Sequence, residues 1–117
     1  KTFEELQMNF KSGASWEGFV IEQISALIPI NCKLYFYRTH DGSELDLVIE
    51  KGGIPISGIE IKFGSDVSPS KGNILACKNL RTKSNFIVIS KNESYMMSNG
   101  FRVVGIKQFI NEFLPLI

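Results

Sequence analysis

The chain has 117 residues, 44% of them hydrophobic and 21% charged, which is the make-up of one soluble globular domain large enough to bury a core. A net charge of +1 weighs against a dedicated nucleic-acid binder, which is usually more basic, and no apolar run approaches the roughly 18 residues needed to cross a bilayer. The two cysteines, Cys32 and Cys77, are far apart and outside any motif, so a disulfide scaffold or zinc site is excluded and reduced thiols in a cytoplasmic protein are expected.

The chain starts at Lys1 without a signal-peptide layout, which sets the expectation of a piece cut from a longer protein. Thr2-Phe3-Glu4-Glu5 has the form of a capping box and predicts a short helix to about Phe10. Lys11-Ser12-Gly13 breaks it, and a second helix is predicted from about Ser15 to Leu27, with Trp16, Phe19, Val20, Ile24 and Leu27 on its apolar stripe and Pro29 beyond its end. Leu34–Arg38 is rich in strand formers, and Thr39-His40-Asp41-Gly42 is a turn. Glu44–Glu50 is the next strand. Lys51-Gly52-Gly53 turns the chain again, and Pro55 delays the third strand to about Ile56–Phe63. Connections this short make the three strands an antiparallel meander.

Ser68-Pro69 then has the N-cap-and-proline form of a helix start, with Gly72 weakening a helix that ends near Leu80. Asn85–Ser90 is a near-continuous apolar run, the pattern of a strand covered on both faces and able to pair in parallel. Lys91–Gly100 reads as a polar, irregular connection in which Tyr95, Met96 and Met97 form a small satellite of the core. Phe101–Val104 is a last short strand, and Ile106–Leu114 a closing helix stopped by Pro115. The order predicts an α/β (α+β) fold, a sheet covered by helices, built as a single domain over residues 1–117.

Two of these strands carry charges that the pattern does not require. Asp46 interrupts the second, and Glu60-Ile61-Lys62 sits in the third, with Glu60 and Lys62 on one face and Ile59, Ile61 and Phe63 on the other. By the same alternation Asp46 shares a face with Glu44 and Val48. If Asp46 and Glu60 converge, their repulsion calls for a cation, and Mg²⁺ is commonly held by one or two carboxylates with water and phosphate oxygens. The Ile61 carbonyl is a further candidate ligand, Lys62 would stabilise developing negative charge, and Glu17, near the edge of the helical stripe, would be another ligand or a partner for Lys62. The reaction class is metal-assisted phosphodiester hydrolysis. The bland account is a charged solvent face on an edge strand and, for Glu17, a solvated carboxylate near a helix start. His40, the single histidine, falls in a turn, where a solvated role is expected rather than a nucleophilic mechanism.

A helix with an early Glu, a strand with Asp, a strand ending Glu-x-Lys, then a helix and a strand resemble the PD-(D/E)XK nuclease superfamily, through Glu17, Asp46 and Glu60-Ile61-Lys62. The stretches Trp16-Glu17-Gly18-Phe19-Val20, Tyr35-Phe36-Tyr37-Arg38-Thr39, Asp41-Gly42-Ser43-Glu44-Leu45-Asp46 and Ile59-Glu60-Ile61-Lys62 are similar to the domain of unknown function that follows an AAA-type ATPase module in many bacterial and archaeal proteins. Leu45 stands where the superfamily has proline before the aspartate. The resemblance spans roughly Ser12 to Ser90 and implies a restriction-endonuclease-like mixed sheet. It also implies that an N-terminal ATPase domain belongs to the same polypeptide; no phosphate-binding loop (GxxxxGK[ST]) occurs within the chain, so no ATP site of that kind is expected in it.

Two functions follow. One is a nuclease using Mg²⁺ or Mn²⁺, with Asp46 and Glu60 as metal ligands, Lys62 as catalytic lysine, Glu17 in support, and Arg38, Lys71, Lys78, Arg81 and Lys83 as candidate phosphate contacts on DNA or RNA. The other is a non-catalytic module of the ATPase that binds nucleic acid or protein and keeps the acidic pocket as inherited architecture.

Overall fold

A computed structural model describes residues 13–64 and 67–117, with side chains from Trp16 onward. The helix expected at Thr2–Phe10 lies outside the described residues. Helix α1 spans Gly13–Leu27 and buries Trp16, Phe19, Val20 and Ile24, as the helical spacing requires. Leu27 departs from the expected stripe and is exposed; the last turn of α1 runs past the core, and Ile28, just beyond it, packs there instead.

Strands β1 (Cys32–Arg38), β2 (Glu44–Lys51) and β3 (Ile54–Ile61) form the predicted antiparallel meander. Helix α2 (Lys71–Leu80) leads into β4 (Ser84–Ile89), which lies parallel to β3 and to β6 (Phe101–Gly105). Among the described residues the sheet has six strands in the order β1-β2-β3-β4-β6-β5, with β5 (Ser94–Met96) at its far edge, and the fold is the mixed α+β sheet that the element order predicts. Beta4 shows why its sequence is almost wholly apolar. Phe86 and Val88 enter the cluster under α1 and the C-terminal helical segment, while Ile87 and Ile89 enter the cluster under α2.

Three local expectations are corrected. Strand β3 begins at Ile54, not Ile56, because the pairing slips between Ile49 opposite Ser57 and Glu50 opposite Pro55, and this bulge absorbs the proline. The cap of α2 is Ser70 rather than Ser68: its Oγ accepts from the Asn73 N–H at 3.0 Å while Asn73 Oδ1 accepts from the Ser70 N–H at 2.9 Å. The Lys91–Gly100 connection contains β5 (Ser94–Met96), paired antiparallel to β6, a three-residue exposed edge strand without the alternation that announces a strand. Met97 joins the core as expected, whereas Tyr95 and Met96 are exposed.

Gly72 costs α2 helix propensity, yet a Cβ there would lie 2.3 Å from the Gly42 carbonyl oxygen. The start of α2 therefore lies directly on the β1–β2 turn, and Asn73 Nδ2 ties it to the Glu44 carbonyl at 2.8 Å. Asp41 organises that turn by accepting from Thr39 Oγ1 and from the Ser43 backbone and hydroxyl. At the C-terminus, the expected helix is present in an altered form: Ile106–Gln108 is α-helical, Phe109–Phe113 widens to a π turn, and Leu114–Leu116 tightens to a 3₁₀ turn that contains Pro115. Among the described residues no helix is long and apolar enough to cross a membrane.

Candidate active site

The ladder between β2 and β3 stops at Leu47 opposite Ile59, and the two strands part beyond it. Side chains then take over from the backbone. Asp46 Oδ2 accepts the Ile61 N–H at 2.8 Å, and Glu60 Oε1 accepts the Asp46 N–H at 3.0 Å. Each carboxylate so caps the strand that carries the other, and both are drawn to one point. Asp46 is free to do this because β2 is bulged: Tyr35 lies opposite Val48 but Tyr37 opposite Leu45, so an extra residue sits between. The expectation that Asp46 shares a face with Val48 is therefore corrected. Leu45 and Val48, three apart, enter the same cluster, and the alternation breaks at Asp46-Leu47.

The Glu60–Lys62 segment is pinned on every side. The Lys62 N–H donates to the Val88 carbonyl at 3.0 Å, and Trp16 Nε1 donates to the Lys62 carbonyl at 2.8 Å. The N–H and C=O of one strand residue point the same way and alternate along the chain, so the Ile61 carbonyl, like its N–H, faces Asp46 rather than β4. Trp16 is fully buried, with Phe63 edge-on to it at 5.9 Å between ring centroids. Its spacing marks it only as a core residue; its role in fixing the lysine segment depends on a partner 46 positions away, which no local pattern reveals.

Lys62 Nζ stands 3.8 Å from Glu60 Oε2, with the lysine side chain 43% exposed. Burial and then the charge of Asp46 push the Glu60 carboxyl up to about 7, against the opposing pull of the Asp46 N–H and Lys62. Glu17, reaching from α1, meets Asp46 carboxyl to carboxyl. Its pKa is raised first by burial and then by that contact, with Lys62 lowering it. Among the described residues one lysine thus faces three acids, and the surplus negative charge suits a cation.

The donor set fits a hard ion with an open coordination shell. Among the described residues no group of three or more His, Cys, Asp or Glu side chains is arranged to hold a metal. An ion would rest on Asp46, Glu60 and the Ile61 carbonyl and complete its shell with water, as Mg²⁺ and Mn²⁺ do, leaving Glu17 in support.

The candidate phosphate contacts divide. Arg38 lines a cleft of about 420 Å³ together with Glu17 and Asp46, and it pairs loosely with Glu44 at 3.5 Å. Lys71 opens α2 beside the β1–β2 turn, at the same end of the sheet as Asp46. Lys78 lies on α2 beside Asn79, whose Nδ2 donates to Ser43 Oγ at 3.2 Å, while the Lys83 N–H donates to the Ile56 carbonyl, about 13 Å back along β3 from Glu60 at a strand's rise. His40 is exposed in its turn, as expected.

A family model described as "Domain of unknown function (DUF4143)" matches residues 12–109, and the chain belongs to that family. The chain is 39% identical, over 96% of its length, to the uncharacterized proteins Mb2031c of Mycobacterium bovis and Rv2008c of Mycobacterium tuberculosis. It spans only 26% of the length of these relatives. No solved structure gives a significant match.

Proposed function

We propose that this DUF4143 domain is a divalent-metal-dependent phosphodiesterase of the PD-(D/E)XK type, acting on nucleic acid as the C-terminal part of an AAA-type ATPase. The observation that carries this reading is the reciprocal pair of hydrogen bonds between Asp46 and Glu60-Ile61, which gathers two carboxylates beside Lys62. Support for a longer parent comes from the relatives, most of whose length lies outside the matched region.

Asp46, Glu60 and the Ile61 carbonyl would hold Mg²⁺ or Mn²⁺. When bound, the ion supplies a Lewis acid for a phosphoryl oxygen and acidifies a bound water. Lys62, tethered only loosely to Glu60, is long enough to donate to the attacking water or to the phosphoryl oxygen where negative charge develops. Its reach is set by the backbone, which Trp16 and Val88 hold from both sides. Glu17, protonated more readily than an ordinary glutamate, gives a hydrogen bond to Asp46 and fixes the orientation of that ligand.

A non-catalytic module is the second reading, favoured by the net charge of +1 and by Lys62 already neutralising part of the pocket. Incubation of the purified protein with single- and double-stranded DNA and RNA, in Mg²⁺ or Mn²⁺, separates the two. Metal-dependent cleavage that falls at least 100-fold in Lys62→Ala is expected, a loss of the size that follows from removing a charge-stabilising donor. Cleavage unaltered by that substitution, or absent with every substrate, rejects the enzyme reading.

A further inference from the structure

Phe36 sits on edge strand β1 and, at 77%, is the most exposed phenylalanine among the described residues. Its neighbours Tyr35 and Tyr37 turn to the face covered by α2. Phe36 and Arg38 therefore project to the opposite face, the one covered by α1, as does Leu34. There they line the same cleft as Glu17, Ile21 and Asp46. Arg38 also keeps its side chain 75% exposed. An aromatic ring and a guanidinium, two residues apart on one strand, thus flank the proposed metal ligands. The cleft has a volume of about 420 Å³, room for one small group such as a nucleotide.

We infer that Phe36 and Arg38 form a stacking platform that selects unpaired nucleic acid, with a base laid on the Phe36 ring and its phosphate drawn by Arg38 toward Asp46. The inference rests on the phosphodiesterase reading and deepens it by naming the substrate class. Every base has a π-face, so a phenylalanine binds unpaired bases with little regard to sequence, and a base within a duplex cannot offer that face. The edge position leaves the ring open on its outer side, where among the described residues the strand has no neighbour. Arginine beside it supplies the cation that tracks the backbone.

The test measures fluorescence anisotropy of labelled single-stranded and duplex oligonucleotides, as DNA and as RNA, in Ca²⁺ to hold the complex without turnover. The wild type is expected to prefer single strands. Phe36→Ala is expected to weaken single-strand binding about 5- to 100-fold, the loss of one stacked base, while Phe36→Trp restores it. Duplex binding should move less than 2-fold in both variants. The DNA and RNA arms identify which sugar is taken. Equal affinity for single strands and duplex, or single-strand binding indifferent to Phe36→Ala, overturns the inference. So does a Phe36→Ala variant whose only change is lost self-association by size-exclusion chromatography, which would make the ring a protein contact. A failure here with Lys62-dependent cleavage intact leaves the phosphodiesterase reading standing. Phe36-dependent binding without any cleavage would instead remove the enzyme and keep the platform.

Discussion

Glu60 is only 9% exposed and lies beside a second carboxylate, so its ionised form is disfavoured and its pKa is raised from 4.5 to about 7. The consequence for stability has a definite sign. An acid whose folded pKa exceeds its unfolded value binds its proton more tightly when folded, so its contribution is best below about pH 4.5 and is lost as pH rises through 7. Well above pH 7 the metal-free protein carries a penalty on the order of 3 kcal/mol. Glu60→Gln keeps an acceptor for the Asp46 N–H and removes the charge. It is expected to raise the thermal midpoint of the metal-free protein by several degrees at pH 8 and to leave it nearly unchanged at pH 4.5, measured by calorimetry in chelator. An equal shift at both pH values would show that burial of charge is not what separates the two. A residue that costs stability where it stands is the pattern expected of a functional side chain. That same conflict is what made Asp46 and Glu60 legible in the sequence: each breaks an apolar strand without a local reason. The role of Trp16 gave no such sign, because an indole fits an apolar stripe whether or not its N–H has a partner.

At the scale of elements, the meander, the two covering helices and the doubly buried β4 follow from period and turn chemistry, and they stand where those place them. What was not legible depends on contacts between distant segments. The bulge at Asp46-Leu47 is visible only in the pairing of β2 with β1, and the alternation rule applied to β2 alone puts Asp46 on the wrong face. Strand β5 is three exposed residues that pair because β6 presents an edge, not because Ser94–Met96 favour a strand. Gly72 shows how a local weakness becomes a tertiary requirement. Alanine there adds roughly 1 kcal/mol of helix propensity but forces its Cβ against the Gly42 carbonyl, an overpacking that costs about 1–3 kcal/mol. Gly72→Ala is therefore expected to lower stability in urea unfolding. A gain would mean that α2 does not press on the turn.

For the whole molecule, the sheet keeps two separate cores, one with α1 and the C-terminal helical segment and one with α2. The candidate site opens at one end between them. Beta3 and β4 are parallel, and Glu60, Ile61 and Lys62 lie where β3 reaches its carboxyl end, the side on which crevices in parallel sheets take their ligands. There the antiparallel β2 stops pairing with β3, and the gap is filled by carboxylates instead of ladder bonds. Topology thus supplies the opening, and Asp46 and Glu60 supply its charge. The central claim is that this opening holds one divalent ion, and titration calorimetry with Mn²⁺ tests it most directly. The account predicts one site on the wild-type protein, tighter at pH 8 than at pH 6 because the Glu60 proton must leave, and at least 10-fold weaker in an Asp46→Asn variant that keeps its near-ultraviolet circular dichroism. No heat of binding, or a site whose affinity is the same in the folded Asp46→Asn variant, would contradict it.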